Sequence, residues 1–160
     1  MKKTDPDWSQ MKIAVVAARW NSFITDEMME SAEGVLRGKG IKEYHLFRFR
    51  CPGAFELPLA CKWCLEDLNC DGVVAIGAVI RGGTPHFEYV CDSVTQGLTN
   101  LNLDSDRPVS FGVLTTDTVE QAIERASPEK GNKGAEAALA LCEMLEFKEA
   151  VKNLKNVKKS

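Results

Sequence analysis

The polarity of the chain changes period several times. "MKIAVVAA" (11–18), apolar apart from Lys12, and "GVVAIGAVI" (72–80) are apolar runs, short and rich in β-branched residues. Such runs suit strands covered on both faces. "EYHLFRF" (43–49) alternates, which predicts a half-buried strand, and "PVSFGVLT" (108–115) predicts a fourth. Between the strands the period lengthens. In "FITDEMMESAEGVLRGKG" (23–40), Ile24, Met28, Val35 and Leu36 share one helical face, and Gly38 and Gly40 punctuate the end. "LACKWCLEDL" (59–68), "FEYVCDSVTQGLTNL" (87–101), "TVEQAIERA" (118–126) and "GAEAALALCEMLEF" (134–147) also read as helices. Strands that alternate with helices predict parallel βαβ units in an open α/β sheet.

Ligands of such sheets sit beyond the carboxyl ends of the strands. Four segments therefore carry the chemistry: "ARWN" (18–21), "CPGAFE" (51–56), "IRGGTPH" (80–86) and "FGVLTT" (111–116). In the third, Gly82 and Gly83 let backbone N–H groups approach an anion, and Arg81 and Thr84 offer further donors. A helix starting near His86 adds its positive end, so the segment suits a phosphate. The spacing is neither a P-loop nor a dinucleotide fingerprint, and a solvated turn explains it equally well. Imidazoles as a class titrate near neutrality, so His86 beside a phosphate suits proton transfer. His45, inside the alternating strand, reads as structural.

Trp20 is either a rim aromatic or a stacking platform for a flat heterocycle. Glu56 stands among apolar and turn residues, either to interact with a helix dipole or to accept from a polyhydroxyl chain. "IERASPEKGNKGAE" brings Arg125, Lys130 and Lys133 together in sequence, as a solvated loop or as the completion of an anion site.

Composition narrows these options. One hundred and sixty residues, 44% hydrophobic and 27% charged, suit a single globular domain, read as 11–160 behind a flexible arm of residues 1–10. A net charge of −3 argues against a broad nucleic-acid or membrane surface. No run is long and apolar enough to cross a bilayer, and no signal-peptide pattern is present, so the expected location is the cytoplasm. The six cysteines include "CKWC" and Cys70, but no second CxxC or histidine pair completes a zinc set. They read as reduced, buried small hydrophobes.

Five motifs, "ARWNSFIT", "PGAFELP", "AIGAVIRGGTPHFEYV", "FGVLTTDTVEQAIERA" and "GNKGAEAA", resemble those of 6,7-dimethyl-8-ribityllumazine synthases in order and spacing, over roughly residues 11–147. The resemblance implies a flavodoxin-like three-layer α/β/α sandwich with a four-stranded parallel sheet. It implies condensation of 5-amino-6-(D-ribitylamino)uracil with 3,4-dihydroxy-2-butanone 4-phosphate, giving 6,7-dimethyl-8-ribityllumazine, phosphate and water, the penultimate step of riboflavin biosynthesis. No metal or organic cofactor is expected.

By the same resemblance, Trp20 takes the position that stacks on the pyrimidinedione. Ala54, Phe55 and Glu56 match the ribityl-binding segment. Ala78, Val79 and Ile80 match the strand end that reads the pyrimidine edge. Gly83 and Thr84 match the phosphate loop, and His86 the proton-transfer residue. Phe111 and Arg125 match residues supplied by a neighbouring subunit, Arg125 to the phosphate, and Lys133 and Glu136 match a pair lining the shared site. The implied partners are further copies of the chain, as a pentamer or a sixty-subunit shell, with riboflavin synthase a further candidate.

The sequence departs from the family at the cationic approach to Cys51, at "ASP" (126–128), which replaces the usual Ala-Gly-Thr, and in the arm, where Pro6 and acidic residues disfavour an added strand. A non-catalytic flavin- or lumazine-binding homologue, a shell protein and a riboflavin synthase are the rival readings; the phosphate loop with Arg125 weighs against the last two.

Overall fold

The computed structural model describes residues 5–157. Four strands, β1 (Ile13–Ala18), β2 (Leu46–Cys51), β3 (Gly72–Ile80) and β4 (Val109–Thr116), form one parallel sheet in the order β2-β1-β3-β4. Helices α1 (Ser22–Lys39), α2 (Leu57–Glu66), α3 (His86–Ser105), α4 (Val119–Ala126) and α5 (Lys133–Val157) fill the intervals. The order follows the first four strands of the flavodoxin-like arrangement.

The side-chain period of two divides each central strand between two cores. Ile13, Val15, Ala17, Val74 and Ile76 pack with α1, α4 and α5 through Ile24, Met28, Leu36, Ala122 and Leu141. Ala14, Val16, Val73, Ala75 and Val79 pack with α2 and α3 through Leu57, Cys61, Leu65, Val94 and Leu98. Both faces of β1 are therefore dry, which is why it reads as a continuous apolar run. The result is the three-layer α/β/α sandwich.

The strand ends are in step in two pairs, with β3 and β4 running three residues past β1 and β2. Ala18 lies opposite Cys51, and Ile80 opposite Thr116. Arg19 N–H and Trp20 N–H donate to the carbonyls of Cys51 and Pro52, at 2.7 and 3.0 Å, which carries the β1–β2 pairing into the loops beyond.

Among the boundaries that differ from the pattern reading, three have a clear physical reason. Glu43–His45 forms a 3-10 turn rather than the start of a strand, with His45 N–H on the Lys42 carbonyl at 2.8 Å. The alternation there is coincidental: Tyr44 is exposed, and His45 meets the Ser9 carbonyl through Nδ1 at 3.2 Å, a structural contact. Helix α2 starts two residues early because Pro58 is tolerated in a first turn, where its missing N–H costs nothing. Helix α5 runs to Val157, ten residues beyond Phe147. No glycine or proline stops it, and Phe147, Val151 and Leu154 continue the helical spacing.

Residues 1–4 of the expected arm lie outside the described residues. Of the remainder, Trp8 packs against the first core and under the Lys39 ammonium, 5.4 Å from the ring centroid. Residues 127–131 turn tightly: Lys130 N–H reaches the Ser127 carbonyl at 3.1 Å, with Pro128 at the second position, where its fixed φ suits the turn.

All six cysteines are free, and "CKWC" lies within α2. Burial pushes the Cys51 and Cys64 thiols up to about 11 and Cys70 to about 12, and drives Cys61 well above its ordinary value. Such thiols stay protonated at neutral pH and are poor nucleophiles and metal ligands. Among the described residues no cluster of histidine, cysteine and carboxylate side chains could hold a metal ion, and no helix is long and apolar enough to cross a membrane.

Candidate active site

A cleft of about 480 Å³ opens beyond the ends of β1, β2 and β3. Nine of the residues singled out from the sequence line it: Trp20, Ala54, Phe55, Glu56, Ala78, Val79, Ile80, Thr84 and His86. Gly82 also lines it, with Gly83 between Gly82 and Thr84 in the exposed loop. Three separate loops converge because the parallel strands all end on one side of the sheet, β1 and β2 level with each other and β3 running three residues further.

Trp20 is 59% exposed, yet its place is fixed from beneath. A Cβ on Gly53 would stand 2.4 Å from Trp20 Cε3, so the indole lies directly on the bare glycine backbone. Three residues later, Glu56 Oε2 accepts the Gly53 N–H at 2.9 Å. The helix-start and ligand readings of Glu56 are thus compatible, because the second carboxylate oxygen makes no hydrogen bond among the described residues.

His86 is the first residue of α3 and is exposed to the cleft, with its N–H 3.4 Å from Thr84 Oγ1. Pro85 caps the helix at φ −65°, the angle its ring fixes. The Gly82–Gly83 loop stays open, since a Cβ at either glycine would meet nothing within 4 Å. A helix N-terminus, two bare glycines and a hydroxyl present donors to an anion.

Arg81 sits differently from the sequence expectation. Its Nε donates to Asp117 Oδ1 at 2.7 Å, its Nη1 donates to Glu88, and its guanidinium lies 4.3 Å from the Phe87 ring centroid. The hydrogen bond from Arg81 lowers the Glu88 carboxyl from its ordinary value. Arg81 is committed to the protein rather than extended toward a ligand.

The remaining candidates do not join this cleft. Phe111, Arg125, Lys133 and Glu136 line a second one, of about 450 Å³, along β4 and α5. Arg125 is exposed and spends Nη1 on the Gln121 carbonyl at 3.2 Å. Lys133 and Glu136 pair at 2.8 Å. β4 is one of the two outer strands of the sheet, so Phe111 and its companions lie at an edge.

Asn21, Phe87 and Val90 also line the first cleft and escaped the sequence reading. Asn21 had a signal. It caps α1 in the left-handed region at φ 59°, a conformation asparagine tolerates, and its Nδ2 donates to the Ala78 carbonyl at 3.0 Å, which clamps β3 to the start of α1.

The family model for 6,7-dimethyl-8-ribityllumazine synthase matches residues 10–149. This chain belongs to that family. Proteins named 6,7-dimethyl-8-ribityllumazine synthase are similar over most of their length. That of Nautilia profundicola is 51% identical over 134 residues, covering 84% of this chain and 87% of its own. That of Campylobacter lari is 50% identical over 141 residues, covering 88% and 90%. That of an Anaeromyxobacter species is 50% identical over 133 residues, covering 83% and 82%. The match spans the residues that line both clefts.

Proposed function

We propose that this chain condenses 5-amino-6-(D-ribitylamino)uracil with 3,4-dihydroxy-2-butanone 4-phosphate, as a transferase of riboflavin biosynthesis. The observation that carries the reading is the convergence of a stacking ring, a partly free carboxylate, an anion loop and an imidazole in one cleft. The pyrimidinedione stacks on Trp20, and the ribityl hydroxyls donate to Glu56. The backbone of Val79 and Ile80 faces the heterocycle, and Gly82 to Thr84 receive the phosphate. The 5-amino group attacks the ketone and loses water to an imine. Phosphate leaves by elimination, and the ribityl-bearing nitrogen closes the second ring with loss of water. His86 moves protons in these steps, and holding two substrates together supplies much of the remaining rate.

The reading assigns the second cleft to the neighbouring copy. Arg125 has donors to spare for the phosphate, and Phe111 presents an exposed ring. A contact between one chain's β4 edge and the next chain's first cleft is head-to-tail, and such contacts close into rings. A pentamer follows the resemblance, with a sixty-subunit shell as its larger form. Phe49, Phe55, Leu59 and Trp63 are exposed together around a second-face groove, an apolar patch that oligomers commonly cover. Free buried thiols suit the reducing cytoplasm.

The test is steady-state turnover of purified protein with both substrates, following lumazine absorbance and phosphate release together. Equal appearance of both products above the uncatalysed rate is the expected result. Uracil binding without turnover would make the chain a binding homologue instead.

Gly53→Ala probes the stacking assignment. The new methyl must push Trp20 off its seat, and a ring this exposed can swing away without unfolding the chain. Base–aromatic stacking is worth roughly 1–3 kcal/mol, so KM for the uracil should rise about tenfold with the circular dichroism unchanged. An unchanged KM would separate Trp20 from substrate binding.

A further inference from the structure

Arg81 stands at the meeting point of three parts of the fold, and no step of the chemistry above uses it. Its backbone N–H closes the end of the sheet on the Thr116 carbonyl at 2.9 Å. Its side chain reaches Asp117, in the turn after β4, and Glu88, in the first turn of α3. The guanidinium covers Phe87, which lies next to His86, lines the first cleft and packs on the second core. Asp117 is held in turn, its N–H donating to Gln121 Oε1 at 2.9 Å.

Ion pairs this exposed add little to stability, so their charge matters more than their strength as struts. Glu88 is two residues from His86, and Asp117 is brought close by the end of β4. Left unpaired, both would set negative charge beside a loop that must accept a dianionic phosphate. Resting on the reading of the Gly82–Thr84 loop as the phosphate site, we propose that Arg81 is a positioning residue that neutralises Glu88 and Asp117 and pins the first turn of α3, so that the loop accepts a phosphate ester without Arg81 touching it.

The consequence is specific. Removing Arg81 exposes two carboxylates and weakens phosphate-bearing ligands alone. Removing Glu88 as well takes away much of the repulsion that Arg81 had masked. A direct phosphate ligand would behave otherwise, since its loss is not repaired by deleting a neighbouring carboxylate.

The experiment is a double-mutant cycle of wild type, Arg81→Ala, Glu88→Gln and the double variant, with Arg81→Lys as the conservative control. Each protein is checked by thermal melting. Two readouts are taken: KM for each substrate with kcat, and calorimetric titration with inorganic phosphate, which needs no turnover. Arg81→Ala should raise KM for the phosphate substrate and Kd for phosphate by about tenfold, with the uracil KM within about twofold. The double variant should return to within about threefold of wild type, and Arg81→Lys should fall between wild type and Arg81→Ala. The proposal is overturned if Arg81→Ala leaves both phosphate constants unchanged, if the double variant is no better than Arg81→Ala, if the uracil KM rises in step, or if wild type does not bind phosphate. A wild type that binds phosphate but does not turn over would refute the catalytic reading alone, and the calorimetric cycle would still decide the role of Arg81.

Discussion

At a low concentration of the phosphate substrate, chains carrying His86→Ala, co-assembled with chains carrying Arg125→Ala, recover about a quarter of wild-type turnover, although each variant alone is nearly inactive there. The single effects come first. His86 is exposed in the first cleft, and losing its proton transfer should lower kcat by roughly a hundredfold or more with uracil binding retained. Arg125 lines the other cleft, and its loss should raise KM for the phosphate substrate far more than for the uracil. In a ring where each site takes His86 from one chain and Arg125 from the next, random mixing makes about one site in four fully intact. The measurement is co-expression with two affinity tags, tandem purification and steady-state assay. Turnover equal to the average of the two single variants would mean that each site lies within one chain.

The second large effect concerns stability. Gly134→Ala should lower the melting temperature by about 10 °C or prevent folding. A Cβ on Gly134 would stand 2.1 Å from the Met28 carbonyl oxygen and 2.6 Å from Met28 Cα. The obstacle is backbone of α1 rather than the tip of a side chain, so neither helix can yield without separating the two. Overpacking of this kind costs about 3 kcal/mol or more, and each kilocalorie lowers the melting temperature of a chain this size by about 2–4 °C. Gly34→Ala is the control. It lies mid-helix in α1, where a Cβ would meet nothing within 4 Å, so it should stabilise by up to about 1 kcal/mol. Both melts belong at one protein concentration, because assembly shifts apparent stability. An equal, small effect of the two substitutions would contradict the close approach of α1 and α5.

These two cases show what was legible in the sequence. The strand ends were, because apolar runs and their flanking loops are local patterns, and the parallel sheet then brings "ARWN", "PGAFE" and "RGGTPH" to one cleft. Helix α1 was legible through Ile24, Met28 and Leu36, all fully buried. "EYH" was misread because alternation over three residues cannot distinguish a strand from a 3-10 turn. Periodicity could not reveal that Arg81 answers Asp117, 36 residues away, or that Gly53 serves as the floor for Trp20. Those depend on how loops from different strands meet, and only the assembled sheet decides that. The resemblance, not the pattern, assigns Phe111 and Arg125 to a neighbour, and within this chain they line a separate cleft.

The position of β1 also bears on synthesis. Of the four strands described, the first to be synthesised is the one that ends between two others, with every residue buried. Its partners are Leu46–Cys51 and Gly72–Ile80, so the Ile13–Gly72 pairing waits until the residues between them have been made. During that interval six apolar residues form a sticky nascent edge. Such edges favour association with other unfinished chains, and slowing translation before residue 72 should lengthen the exposure. The charged residues that flank the strand, Lys12 and Arg19, are the gatekeepers available to it in that period.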